Sequence, residues 1–211
     1  MAALTIDKEL ITGVLLAGGE SRRMGGGDKF LLPLGQQTLL QRVISRAAPQ
    51  VDRLLLNING DPQKVAGYPL TVIGDITANL GHLGPLAGIL TAMHWLQHYQ
   101  PQCRWLASFA TDTPFFPLDL VASLARAATG ENTPLASSRS GGRTHPVFTL
   151  WATSLYDDLQ TFILRENQRR LHHFFTRHRV TWVDFASQPV DPFFNINTEN
   201  DFKIAQKRVF D

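Results

Sequence analysis

Apolar and polar positions along this chain follow two periods. Short apolar runs recur from Gly13 to Leu16, Arg53 to Asn59, Leu70 to Gly74 and Trp105 to Ala110. Runs of that length, each halted by glycine or a short polar group, read as buried strands. Helical spacing lies between them. Thr38 caps a predicted helix whose Leu39, Leu40, Val43, Ile44 and Ala47 share one face and which Pro49 closes. Gly84 to Gly88, G-P-L-A-G, opens a longer helix with the apolar stripe Leu86, Ile89, Leu90, Met93 and Leu96, and another runs from Leu118 to Ala128. Strands alternating with helices predict a three-layer, mostly parallel, Rossmann-like doubly wound α/β sheet.

The pattern changes after Asn132. Pro134 to Ser138 and Pro146 to Trp151 flank a polar turn with Gly141 and Gly142, which predicts a hairpin-like excursion. Helices are expected from Ser154 to Leu164 and Arg169 to Arg177, a strand from Val180 to Phe185, and a terminal helix capped by Thr198. Residues 1–10 read as a flexible lead-in and 11–211 as a single domain.

Composition narrows the class. The 211 residues are 44% hydrophobic and 18% charged, which is globular rather than disordered. A net charge of +2 does not argue for nucleic acid. The single cysteine, Cys103, rules out an internal disulfide and a cysteine-rich zinc site and reads as structural. With no signal peptide or membrane-length apolar run, a cytoplasmic setting without a membrane partner is expected.

The candidate chemistry begins where the first strand stops. Gly18, Gly19, Gly25, Gly26 and Gly27 fall within ten residues, interleaved with Arg22 and Arg23 and followed by Lys29. Glycine lets backbone amides approach a ligand closely, and the cations match an anion, so the stretch reads as a polyphosphate cradle at a sheet edge. It is neither a Walker A loop, since Phe30 follows Lys29, nor G-x-G-x-x-G. Asp112 follows a predicted strand in T-D-T-P and reads as a Mg²⁺ ligand or as an Asx-turn. Asn57 and Asp75 end two other strands and either bond a base or ribose or simply terminate them. The residues at these strand ends are expected to share one site.

The loop L-A-G-G-E-S-R-R-M-G-G-G-D-K resembles the nucleotidyltransferases that activate sugars, isoprenoid alcohols and molybdopterin, and is most similar to the molybdenum cofactor guanylyltransferase family. The likeness extends through G-P-L-A-G, D-T-P, R-T-H-P and N-I-N-T, from Thr12 to Asp201, in the family's order. It implies a fold of the nucleotide-diphospho-sugar transferase type and transfer of GMP from GTP to Mo-molybdopterin with release of pyrophosphate. Leu16, Ala17, Gly18, Gly19, Lys29, Asn57, Asp75 and Asp112 would bind the nucleotide, Asp112 also Mg²⁺. Lys29, Asp112, Arg22 and Arg23 would carry the catalysis. His145, Arg169, Arg170, Asn195 and Asn197 would face the acceptor. Residues 11–130 would form the nucleotide-binding half and 131–211 the acceptor-binding half. Other molybdenum cofactor biosynthesis proteins and recipient molybdoenzymes are implied partners. A molybdopterin cytidylyltransferase or a sugar-phosphate nucleotidyltransferase is the alternative, and a non-catalytic nucleotide sensor is the rival of another class.

The cluster of His172, His173 and His178 with Arg165, Arg169, Arg170, Arg177 and Arg179 reads as a solvated basic surface, with a terminal phosphate as its second candidate partner.

Overall fold

The computed structural model describes residues 6–17, 28–77 and 83–210. Its first strand, β1, is Ile11–Leu16, preceded by a 3-10 turn at Lys8–Leu10 that Asp7 caps. Two short strands, β2 (Pro33–Leu34) and β3 (Gln37–Thr38), pair with each other and lead into α1 (Leu39–Ala47). Thr38 caps α1 as expected, in a reciprocal box with Gln41. There follow β4 (Arg53–Ile58), β5 (Thr71–Gly74), α2 (Pro85–Tyr99), β6 (Trp105–Ala110) and α3 (Leu120–Glu131). The second half contributes β7 (Leu135–Ser140), β8 (Arg143–Ala152), α4 (Tyr156–Leu164), α5 (Leu171–Phe175), β9 (Val180–Phe185) and α6 (Glu199–Phe210).

Seven strands form the main sheet in the order β5-β4-β1-β6-β8-β7-β9. All neighbours are parallel except where β8 meets β6 and β7, so β8 alone runs backwards. The expected hairpin is β7–β8, its Gly141 and Gly142 at φ +51° and +77°, values that L side chains rarely adopt. The hairpin is therefore built into the main sheet. Several boundaries moved, two of them at helices α3 and α5. Helix α3 continues to Glu131, because Asn132 in the left-handed region, not Ala128, ends it. Helix α5 is shorter than its pattern, with Arg170 as the N-cap.

A core lies on each face. Ile11 and Leu15 of β1 meet Leu54, Leu56, Phe109 and the apolar sides of α1 and α3. Val14 and Leu55 face the other way, onto α2, α4 and α5. The run Leu54 to Ile58 is buried on both faces, as a central parallel strand requires. Trp151 fills the second core, its Nε1 donating to Ser108 Oγ at 2.9 Å, while Ser108 Oγ donates to Val147 O. Cys103 is buried with its thiol against the carbonyls of Leu10 and Trp105. A small third cluster joins Leu34, Leu39, Ile196 and Ala205, which seats α6 against β2 and the start of α1. Among the described residues no helix is long and apolar enough to cross a membrane.

Candidate active site

The chain leaves β1 toward β4 and β5, then crosses by α2 to β6 on the other side. The strand order therefore reverses between β1 and β6, where open α/β sheets hold ligands at the carboxyl edge. Register brings three residues level at that edge: Leu16 pairs with Asn57 and with Ala110. Ala17 continues the ladder, its amide donating to Asn57 O at 2.9 Å, and the Thr111 hydroxyl donates to Leu16 O at 3.2 Å. A cleft opens there, lined by Leu16, Lys29, Asn57, Asp112 and Asn195 together with Phe30, Asn59, Gly84, Pro85 and Val147.

Lys29 is the centre of it. A 3-10 turn at Lys29–Leu31 brings its side chain inward, where Nζ donates to Asp112 Oδ2 at 2.9 Å and to Asn197 Oδ1 at 2.8 Å. The lysine side chain is 11% exposed and the Asp112 side chain 26%, so the pair is screened from bulk water without being sealed off. Just before it, Asp28 is held by Lys64 Nζ at 2.7 Å.

Asn57 lies inside β4, on the face toward α2, and both protons of its amide are engaged. One Nδ2 bond runs to Asp75 Oδ1 at 2.8 Å and the other to Ile73 O at 3.4 Å. Its Oδ1 looks at α2, where Gly88 makes the fit possible: a Cβ on residue 88 would sit 2.3 Å from Asn57 Oδ1 and 2.6 Å from Leu16 Cδ2. The N-terminal turn of α2, with Pro85 at its first position, can thus close directly onto the cleft.

The acceptor-side candidates divide. Asn195 and Asn197 flank Ile196, whose side chain is fully buried and whose amide donates to Asp112 O at 2.9 Å. Asn195 lines the cleft, and Asn197 is joined to it through Lys29. His145 stands beside the cleft rather than in its lining. Its ring stacks on Phe193 at 4.5 Å, and Nε2 lies 2.7 Å from Ser140 Oγ, which itself donates to Asp191 Oδ1 at 2.8 Å. Since Asp191 takes the serine proton, Nε2 carries the hydrogen and donates to Ser140. Burial holds His145 below the usual histidine range, the Arg143 charge adding to this and Asp191 opposing it. Arg169 and Arg170 are exposed at the start of α5, away from the cleft lining, and Arg169 bonds Asn167 Oδ1 at 3.3 Å. Nearby, Arg177 is paired with Glu166 and His178 Nε2 is hydrogen-bonded to Asp158, so part of that surface is engaged internally. Gly18, Gly19, Arg22 and Arg23 lie outside the described residues.

Sequence reasoning did not single out Asp201, which supports Asn197 from behind, although T-x-x-D before an apolar run is a legible capping signal. It did quote Gly84 and Pro85, without their place in the cleft wall.

The donor set suits a hard cation. Among the described residues no three His, Cys, Asp or Glu side chains gather into a metal-holding group. Asp112 offers a single protein carboxylate beside the basic Lys29, which is how Mg²⁺-type sites shared with phosphates are commonly built.

Comparison with known proteins identifies the family. Residues 13–181 match the MobA-like NTP transferase domain. A molybdenum cofactor guanylyltransferase of Bradyrhizobium sp. (strain ORS 278) is 46% identical over 197 residues, covering 93% of this chain and 92% of that protein. The crystal structure of molybdopterin-guanine dinucleotide biosynthesis protein A from Archaeoglobus fulgidus has the same fold, with a TM-score of 0.75 at 23% identity over 94% of this chain and 98% of its own. A Mycobacterium tuberculosis protein solved in complex with manganese aligns with a TM-score of 0.65 at 19% identity, over 94% of this chain and 98% of its own. A domain match across most of the sheet, with relatives similar over nearly their whole length, means that the chain belongs to the MobA-like NTP transferase family of nucleotidyltransferases.

Proposed function

We propose that this protein transfers GMP from GTP to the phosphate of Mo-molybdopterin, forming the guanine dinucleotide and releasing pyrophosphate. The observation that carries the reading is the Lys29–Asp112 contact at the switch point, in one cleft with Leu16 and Asn57 and next to Asp75.

The acceptor phosphate is already about doubly anionic near neutrality, its second pKa lying near ~6, so it needs no strong base to attack. The site has to neutralise charge and align the attacking oxygen with the α-phosphorus. Lys29 has three N–H groups, of which Asp112 and Asn197 take two; among the described residues the third has no partner, and it would serve a phosphate oxygen. The start of α2, Gly84 and Pro85, lies in the cleft wall, and the positive end of the helix would favour an anion there. Asn57, with both amide protons committed, fixes the orientation of Asp75 and leaves its carboxylate able to accept from a nucleoside. Arg22 and Arg23 would add positive charge as the triphosphate divides. Asn195, His145 and the edge of β8 form the side from which the acceptor would enter, with Arg169 and Arg170 as more distant candidates.

A divalent cation, Mg²⁺ by this reading, would be held by Asp112 and, when bound, would polarise the phosphoryl group and stabilise the pyrophosphate that leaves. The cytoplasm is the proposed setting.

The test is nucleotide choice. Purified protein given Mo-molybdopterin and either GTP or CTP should release pyrophosphate with GTP and be nearly idle with CTP. The opposite preference makes it a cytidylyltransferase, and release from neither removes the proposed reaction.

A further inference from the structure

Asp201 lies at the root of α6, and nothing in the chemistry above uses it. Its Oδ2 accepts from the backbone amides of Asn197 at 3.0 Å and Thr198 at 2.8 Å, while its own amide donates to Thr198 Oγ1 at 3.1 Å. A helix cap needs only the exchange between Thr198 and Asp201. The additional bond, to the amide of Asn197, reaches out of the helix to the residue whose Oδ1 accepts from Lys29. Ile196, just before, is anchored through its buried side chain and its bond to Asp112 O. The turn at residues 196–198 is thus pinned at one end to the strand-end aspartate and at the other to Asp201. Hydrogen bonds from Thr198 and from the two amides outweigh burial to keep the Asp201 carboxyl ionised, and the charge of Lys29 acts in the same sense.

We propose that Asp201 is a positioning residue for the transfer reaction: acting through Asn197, it holds the Lys29 ammonium in place beside Asp112 at the cleft. The assignment rests on the proposed nucleotidyl transfer for its kinetic consequence, though not for its geometry. Lysine is a flexible side chain with a point charge, so its placement depends on fixed acceptors. Asp112 alone supplies one. A second, itself held from behind, restricts the ammonium to a narrow set of positions.

The experiment compares Asp201→Ala, Asp201→Asn, Thr198→Ala, Asn197→Ala and the Asn197→Ala/Asp201→Ala double variant in the full chain. Two readouts are taken: steady-state kinetics with GTP, and acetic anhydride labelling of Lys29 read by mass spectrometry. Thr198→Ala damages the cap but leaves the Asp201–Asn197 bond, so it should lower Tm and leave kcat/KM and labelling near wild type. Asp201→Ala should lower kcat/KM on the order of tenfold to a hundredfold and raise Lys29 labelling. Asp201→Asn, which keeps an oxygen acceptor, should recover most of both, and the double variant should be no worse than Asn197→Ala. The proposal is overturned if Asp201→Ala matches Thr198→Ala in both readouts, or if the two losses multiply in the double variant. Asn197→Ala leaves the cap intact, so unchanged Lys29 labelling in it overturns the proposal even should Asp201→Ala fail to fold. Should wild type release no pyrophosphate, the reaction assignment fails while the labelling comparison still decides the role of Asp201.

Discussion

A single ammonium group joins distant parts of the chain: Lys29 meets Asp112 from the end of β6 and Asn197 from the turn before α6. Removing Asp112 takes away the carboxylate proposed to hold a cation and, among the described residues, the counter-charge of a lysine that is nearly buried. Asp112→Ala is therefore expected to lower kcat by about 10²–10³-fold or more, the range seen when a preorganised charge-stabilising group is lost. Lys29→Ala should weaken turnover severely as well, and circular dichroism should show both variants folded. GMP transfer at the wild-type rate by either variant would take that residue out of the mechanism. His145 is held by contacts outside the cleft. Nε2 bonds Ser140 and the ring lies on Phe193, contacts that tie it to the turn around Asp191 and Phe193.

At the scale of elements, helix α2 does more than cross over the sheet. Its stripe of Leu86, Ile89, Leu90, Met93 and Leu96 packs the second core, as its spacing predicts. Its first turn forms part of the cleft wall only because Gly88 has no side chain. Asn57 Oδ1, which a Cβ would strike, cannot swing away without giving up the bonds to Asp75 and Ile73. Gly88→Ala is thus expected to destabilise the protein by about 1–3 kcal/mol through overpacking. It should also raise KM for GTP more than it lowers kcat, because the cleft wall and not Lys29 is displaced. Calorimetry with steady-state kinetics checks both, and an unchanged KM would count against Asn57 as part of the nucleotide site. Other features of the elements were legible beforehand: the Thr38 box, Pro85 at the head of α2 and the Thr198 cap are local chemistry and need no tertiary partner.

For the whole molecule, linkage sets how stability varies with pH. His145 has its folded pKa depressed, by burial first. Below the unfolded value of about 6.5, the unfolded chain binds the proton more readily, so this contribution is complete above that pH and is lost as pH falls toward the folded value. Glu166 and Asp184 are depressed chiefly by hydrogen bonds from Arg177 and Arg139, and Asp201 by hydrogen bonds that outweigh its burial. Their contributions are complete above the unfolded value of about 4 and disappear below it. Tm should therefore fall in two stages as pH drops from about 7.5 to about 3, and His145→Gln should remove the first. Identical profiles for variant and wild type between about pH 7.5 and 5 would exclude His145 as the source.

What the sequence by itself determined is the set of local decisions: which stretches are strands or helices, where caps and turns fall, and that Asp75 and Asp112 follow strands while Asn57 falls near the end of another. Periodicity, capping and glycine chemistry act over a few residues, so they can be read without a fold. The tertiary structure alone decided that β8 enters the main sheet in reverse and that Arg169 and Arg170 stay at the surface. It also decided that Asn197 reaches Lys29 across 168 positions, and that a glycine in α2 makes room for an asparagine in β4. Those outcomes depend on how three cores close around one another, and packing of that range leaves no periodic trace in the chain.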